Sequence, residues 1–106
     1  MSEQPQVHDN AAHHRFEIDL EDGSYALAQY LLSPGKIRFT HTAVPSAHEG
    51  RGLGTLLIKA GLAAARAREL QVIPTCPFFA AYIRKHPEEQ DLLDPAYRET
   101  LGLPPA

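Results

Sequence analysis

The residues best suited to chemistry form a glycine-rich segment just before a predicted helix. Gly50, Gly52 and Gly54 alternate with other residues between Glu49 and Thr55. Glycines let a phosphate approach the backbone closely, and the first amides of a helix attract negative charge. The spacing therefore indicates an anion-binding loop, while a mobile loop before a tightly packed helix is the structural alternative.

Two common phosphate motifs do not fit this segment. A Walker loop needs a lysine before its serine or threonine, whereas Thr55 follows Gly54 directly. The dinucleotide fingerprint needs three glycines at fixed spacing, and neither Gly50 nor Gly52 can begin it. Residues 70–75 also lack the acid that would bind a ribose. The loop is therefore not predicted to bind nucleotides in either of these ways.

Three histidines near the N-terminus raise the question of a metal site. His13 and His14 are adjacent, so a strand would point them to opposite faces, and His8 has no cysteine or carboxylate at a convincing ligand spacing. We predict no metal site. Residues 1–13 are polar and aperiodic, which indicates a disordered tail before a single domain over residues 14–103.

The segment before the loop predicts three strands that position it. Apolar and charged residues alternate over residues 15–21, and β-rich segments follow over residues 25–32 and 36–44. The turn sequences Asp22-Gly23 and Ser33-Pro34-Gly35 separate them. Two tight turns between three strands predict an antiparallel meander.

The alternation also assigns side chains to the faces of this sheet. In the first strand, Glu17 lies on the charged face and Phe16 on the apolar face. In the third strand, His41 shares a face with Ile37 and Phe39. These assignments predict an exposed Glu17 and a His41 on the same side as the core.

A crossover and further helices follow the loop. Helical spacing runs from Leu53 to about Glu69, and a fourth strand is predicted over residues 71–76. A strand, helix and strand in this order place the fourth strand parallel to the third. Pro77 can begin a further helix, and short helices are expected at 88–93 and 95–101. The pattern predicts an α+β fold, an α/β arrangement in three layers.

Composition excludes several classes of protein. The chain has 106 residues, enough for one domain, and a net charge of −3. Residues 51–85 carry six basic and one acidic residue, so this segment is +5 and the remainder is −8. The single cysteine, Cys76, permits no intrachain disulfide and fits a reducing cytoplasm. No apolar stretch is long enough to span a membrane, and no stripe of basic and aromatic residues indicates nucleic-acid binding.

Three segments carry a resemblance to a known family. They are His41-Thr42-Ala43-Val44-Pro45, Gly50-Arg51-Gly52-Leu53-Gly54 and Pro74-Thr75-Cys76-Pro77. With three antiparallel strands before them, they resemble the GNAT superfamily of acetyl-CoA-dependent N-acetyltransferases, and most closely a short single-domain branch. The resemblance covers residues 15–94 and implies the acyl-CoA N-acyltransferase-like fold.

The same resemblance implies a cofactor site. The family's loop follows Arg/Gln-x-x-Gly-x-Gly/Ala, which Gly52 and Gly54 match and Glu49 does not. Tyr82 matches the family's tyrosine, although the usual Gly-Phe ending is replaced. The residues implied to bind acetyl-CoA or coenzyme A are Val44, Glu49, Gly50, Arg51, Gly52, Leu53, Gly54, Thr55, Cys76 and Tyr82.

Three residues are candidates for catalysis of acetyl transfer. Tyr82 can protonate a departing thiolate, or it can be a core tyrosine. Cys76 can accept the acetyl group, or it can line the pocket as a small apolar residue. His41 can take a proton from an amine near neutral pH, or it can be a structural strand residue.

These implications predict an acetyltransferase that acts on an unidentified amine. The alternative is a non-catalytic module that binds coenzyme A or acyl-CoA. The expected partners are acetyl-CoA and an amine-bearing acceptor, with neither nucleic acid nor membrane. The protein is expected to be a cytoplasmic monomer or weak dimer.

Overall fold

The chain forms one mixed sheet with two α-helices. A computed structural model describes residues 6–104. The strands are β1 (Val7–Asn10), β2 (Arg15–Asp19), β3 (Tyr25–Ser33), β4 (Lys36–Ala43) and β5 (Gln71–Pro74), and the α-helices are α1 (Leu53–Ala67) and α2 (Pro77–Lys85). Short 3-10 turns lie at Ala11–His13, Ser46–His48, Pro87–Leu92 and Pro95–Tyr97. The strands follow one another across the sheet in chain order, which confirms the predicted α+β class.

The N-terminal segment belongs to the sheet. β1 pairs antiparallel with β2 along its whole length. The Tyr30 hydroxyl donates a hydrogen bond to the Asp9 carboxylate at 2.6 Å, which also ties this strand to β3. The prediction of a disordered tail was therefore wrong for residues 7–13, while residues 1–5 lie outside the described part of the chain. Pairing with a neighbouring strand orders a polar segment that has no apolar periodicity of its own.

The predicted meander is confirmed, but β4 contains a bulge. Gln29 lies opposite His41, whereas the next residue of β3, Tyr30, lies opposite Phe39. Thr40 is therefore the extra residue of β4. An inserted residue interrupts the alternation of side chains, so the residues on its two sides no longer follow the same pattern.

This bulge overturns the predicted face of His41. Phe39 is fully buried, but His41 is exposed, and the following residue, Thr42, lies opposite the buried Ala28. The prediction that His41 shares a face with Phe39 was wrong because strict alternation does not pass through a bulge. Thr42 takes the inward position instead.

Helix α1 crosses over the sheet and leads to β5. β5 pairs parallel with β4, which confirms the predicted crossover. A Cβ atom at Gly61 would lie 2.9 Å from the Phe39 ring, so this glycine allows the helix to lie close to the sheet. The helix ends at Ala67 because Glu69 adopts a left-handed conformation, with φ of 57°. No helix of the described residues is long and apolar enough to cross a membrane.

The C-terminal segment packs against β4 and β5 through Asp94. This buried carboxylate accepts a hydrogen bond from Lys36 Nζ at 2.7 Å and one from the Ala96 amide at 3.1 Å. The Asp94 amide in turn donates to the Val72 carbonyl at 3.0 Å. The Lys36 ammonium, and then the Ala96 amide, hold the pKa of Asp94 below its usual range.

Replacing Asp94 by alanine should lower the free energy of unfolding by about 1 kcal/mol, mainly because the capping bond to the Ala96 amide is lost. Chemical denaturation measures this change. Since the pKa of Asp94 is lowered in the folded state, the stabilisation is present above the pKa of the unfolded chain and is lost as the pH falls through the folded value. The exposed Glu99 is the matched control, and an equal loss in its alanine variant would contradict the prediction.

Candidate functional site

A pocket opens where β4 ends and α1 begins. Its volume is about 610 Å³, a size suited to a small ligand or part of a larger one. The wall combines the end of β4, the loop before α1 and the first turn of that helix. The lining residues are Thr42, Ala43, Val44, His48, Glu49, Gly50, Gly52, Leu53, Gly54, Thr55 and Phe78.

The glycine loop presents helix amides to this pocket. Gly52 is the N-cap of α1 with φ of 76°, and no side chain caps the helix there. In the first hydrogen bond of the helix, the Leu56 amide donates to the carbonyl of the N-cap residue Gly52 at 3.1 Å. The preceding amides of the first turn, from Leu53 to Thr55, have no intrahelical acceptor, and their residues line the pocket. This end of the helix therefore suits an anion.

One wall of the pocket is formed where a glycine lies against an aromatic ring. A Cβ atom at Gly54 would lie 2.3 Å from Cε2 of Phe78, so the ring occupies the space that a side chain would need. Phe78 is 47% exposed although it is a large apolar side chain. An exposed ring against a backbone surface gives this pocket an apolar wall beside the helix amides.

The basic residues of the +5 segment do not converge on the pocket. Arg51 Nη1 donates to Glu21 Oε1 at 2.8 Å. Arg66 donates to Glu89 and Asp91 at 2.8 to 3.0 Å, and the hydrogen bonds from Arg66 lower the pKa of Asp91. Acidic residues outside the segment thus neutralise two of its cations. Sequence alone missed this because the partners are distant along the chain.

His48 links the loop to the turn between β2 and β3. Only 6% of this residue is exposed, and its Nε2 lies 2.9 Å from Asp22 Oδ2. Its Nδ1 lies 2.7 Å from Nη1 of Arg51. Hydrogen bonds from Ser24, first from its hydroxyl, and from His48 hold the pKa of Asp22 well below its usual range. Sequence analysis did not select His48, and its turn partner lies 26 residues away.

The predicted cofactor-binding residues fall into two groups. Most of them line the pocket, and Arg51, Cys76 and Tyr82 do not. Cys76 is buried, and its Sγ lies 3.4 Å from Oγ1 of Thr42, which does line the pocket. Cys76 therefore sits directly behind the pocket wall, in contact with one of its polar groups.

The other two catalytic candidates lie elsewhere. His41 is exposed and paired with Gln29, and it is not a lining residue. The Tyr82 ring stacks on His86 with centroids 3.8 Å apart, and the Tyr82 carbonyl accepts a hydrogen bond from His86. Burial, followed by the charges of Glu89 and Glu88, raises the pKa of Tyr82. A protonated phenol remains a hydrogen-bond donor at neutral pH.

One further group of ligand-type residues lies on β1 and β2, outside the pocket lining. His8, Glu17 and Asp19 are close enough to surround an ion. Glu17 was predicted to be exposed but is 7% exposed, because Arg15 and other neighbours cover it. Burial alone would raise the pKa of Glu17, but hydrogen bonds from Arg15, Asn10 and His8 lower it. The carboxylate is thus already paired with a guanidinium, and the group carries no metal assignment.

Comparison with known proteins gives the pocket a context. The sequence profile of the GCN5-related N-acetyltransferase family matches residues 15–92. The chain belongs to this family. The family match begins at β2 and includes the glycine loop, Thr42 and Cys76, so the whole pocket lies within it. The resemblance seen in the sequence is confirmed.

A solved structure supports the same fold. It is the solution structure of a GCN5-like protein from Staphylococcus aureus proposed to be an N-acetyltransferase, with a TM-score of 0.67 and 26% sequence identity. The match covers 88% of this chain and 91% of that chain. No curated protein matches the chain. The N-acetyltransferase fold therefore extends over nearly the whole of both chains.

Proposed function

We propose that this member of the GCN5-related family is an acetyl-CoA-dependent N-acetyltransferase that acts on an amine. The observation that carries the proposal is the pocket at the start of α1, where Gly52 leaves the helix amides open to an anion. Membership of the family supports acyl transfer as the reaction class. The acceptor is proposed only as an amine-bearing molecule.

The residues of the loop fit the pyrophosphate of coenzyme A. A Cβ atom built at Gly50 or Gly52 meets no atom within 4 Å, so the backbone there borders open space. The amides of Leu53, Gly54 and Thr55 would donate to phosphate oxygens. Glu49 stands where the family has arginine or glutamine, and it supplies no positive charge. Binding by this loop would therefore depend on backbone amides more than on side chains.

The other proposed roles follow from the position of each residue. Bound acetyl-CoA supplies a thioester that an amine can attack. Val44 lies just beyond β4 in the pocket wall, where its amide would orient the acyl arm. Tyr82 would donate a proton or hydrogen bond to the departing thiolate, and His41 would take a proton from the amine. Cys76 has the strongest support of the three catalytic candidates, because it contacts the lining residue Thr42.

Amide chemical shifts during titration with coenzyme A test the cofactor assignment directly. We expect the amides of residues 50–55 to shift, because they surround the proposed phosphate position. Gly35, in the turn between β3 and β4, serves as an internal control that is not a lining residue. If residues 50–55 stay unchanged at saturating ligand, the assignment is wrong.

A covalent role for Cys76 predicts a mass change after incubation with acetyl-CoA. The sulfur would bond to the acetyl carbonyl carbon as the bond to the coenzyme A sulfur breaks, and the thiol proton would pass to the departing thiolate. Intact-mass measurement should show one added acetyl group in the natural protein and none in Cys76→Ala. No adduct in either protein, with turnover unchanged in the variant, would leave Cys76 as a buried residue behind the pocket wall.

A non-catalytic acyl-CoA-binding module is the second candidate. It is favoured by the exposure of His41 on β4 and by the position of Tyr82 outside the pocket wall. Turnover with a panel of amines separates the two functions. Release of free coenzyme A only when an amine is present supports the enzyme, and binding without release supports the module. A cytoplasmic location and a monomeric or weakly dimeric state stay predictions.

A further inference from the structure

His48 lies at the centre of a polar network beside the pocket. Its ring is buried and lines the pocket, yet both of its nitrogens face charged groups. The groups are Asp22 at Nε2, and Arg51 and Glu21 at Nδ1. Glu49 is the remaining charged residue of the pocket wall. None of the proposed catalytic roles uses this arrangement.

The partners determine which nitrogen of His48 carries the proton. A guanidinium can only donate, so Nδ1 must accept from Arg51 at 2.7 Å. Nε2 must then carry the hydrogen and donate to Asp22 at 2.9 Å. The observed geometry is therefore that of a neutral imidazole with its hydrogen on Nε2.

A second proton would change the partners of Arg51. A protonated Nδ1 is a donor and can no longer accept from the guanidinium. The nearest acceptor for it is Glu21 Oε1, at 3.7 Å. Arg51 Nη1 now holds that same oxygen at 2.8 Å. Protonation of His48 would thus remove one acceptor from Arg51 and add a competing donor at the Glu21 carboxylate that holds it.

Arg51 is placed so that its release would matter to the pocket. It lies between Gly50 and Gly52, which both line the pocket, while its own side chain is held outside by Glu21. A guanidinium freed from that carboxylate would be available to an anion in the adjacent loop, and it pairs well with phosphate. The protonated imidazole would add a second positive charge to the pocket wall.

From these contacts we infer that His48 is a positioning residue whose protonation directs Arg51 from Glu21 towards the anion in the glycine loop. This inference rests on the proposed binding of coenzyme A. The affinity for the ligand would then increase as the pH falls, because Arg51 would exchange Glu21, beside the β2–β3 turn, for the anion in the loop.

The ligand-free protein provides the first test. Long-range proton–nitrogen NMR spectra at about pH 8 should show the hydrogen of His48 on Nε2, as the contacts with Arg51 and Asp22 require. On acidification to about pH 6, the Arg51 side-chain Nε–H should become more mobile in the natural protein. The opposite tautomer, or an Arg51 signal that is insensitive to pH, would overturn the inference without any reference to coenzyme A.

Coenzyme A affinity provides the second test. His48→Gln keeps one acceptor and one donor but cannot titrate, so it separates charge from shape. Between about pH 8 and pH 6, the natural protein should gain about fivefold in affinity relative to this variant, the scale of one added charge-assisted contact to phosphate at a partly exposed site. Titration of the ligand's own phosphates cancels in the comparison. Equal pH dependence in the two proteins would overturn the inference.

A substitution at the exposed Glu21 covers the case in which the His48 variant does not fold. In Glu21→Gln the carboxylate that retains Arg51 is gone, so affinity at about pH 8 should rise and its pH dependence should shrink. An unchanged affinity and pH profile would contradict the exchange. If the natural protein binds no coenzyme A at any pH, the proposed function fails, and the spectra of the ligand-free protein still decide the role of His48.

Discussion

Replacement of Phe39 by alanine should lower the free energy of unfolding by about 3 to 5 kcal/mol, the range for a large aromatic side chain removed from a packed core. Phe39 is fully buried on β4. Its ring stacks on Phe79 of α2 with centroids 4.1 Å apart and planes 8° apart. It also fills the space over Gly61 of α1, so one side chain connects the sheet to both helices.

Chemical denaturation measures the loss, and a second phenylalanine provides the control. Phe78 lies one residue before Phe79, but about half of it is exposed. Phe78→Ala should therefore cost less than about 1 kcal/mol, because far less apolar surface leaves a buried environment. Similar losses in Phe39→Ala and Phe78→Ala would show that the core is not organised around Phe39.

Local sequence patterns predicted the parts of the fold that local physics determines. The alternation of β2 and the turn sequences determine two hairpins, and the small residues of α1 predict its close approach to the sheet. Gly61 realises that approach against Phe39. The glycine loop was also correctly placed at the start of the helix, because glycine spacing and helical periodicity meet there. These features require no knowledge of distant residues.

The features that sequence missed depend on contacts between distant residues. β1 is polar and is ordered by pairing with β2, so its own residues give little sign of a strand. The bulge at Thr40 reverses the predicted face of His41, and no glycine or proline marks it. His48 gains its partners from the turn at Asp22. Each case depends on register or on a long-range contact that a single sequence does not encode locally.

The loop itself gives the second large effect that we expect. Gly52→Ala should weaken coenzyme A binding by about 10- to 100-fold, the equivalent of one or two lost charge-assisted hydrogen bonds. Gly52 has φ of 76° and borders the open space of the pocket. An added Cβ would stand in front of the helix amides and would keep a phosphate from reaching them. Isothermal titration with coenzyme A measures the change.

The matched control is Gly35→Ala in the turn between β3 and β4. Gly35 has φ of 73°, and a Cβ there meets nothing within 4 Å, as at Gly52. Both variants carry the same backbone strain of about 1 kcal/mol for alanine in the left-handed region, so both should lose similar stability. Only Gly52→Ala should lose affinity, because only Gly52 lines the pocket. Equal binding by the two variants would exclude the helix amides as the phosphate site, because both variants carry the same backbone strain.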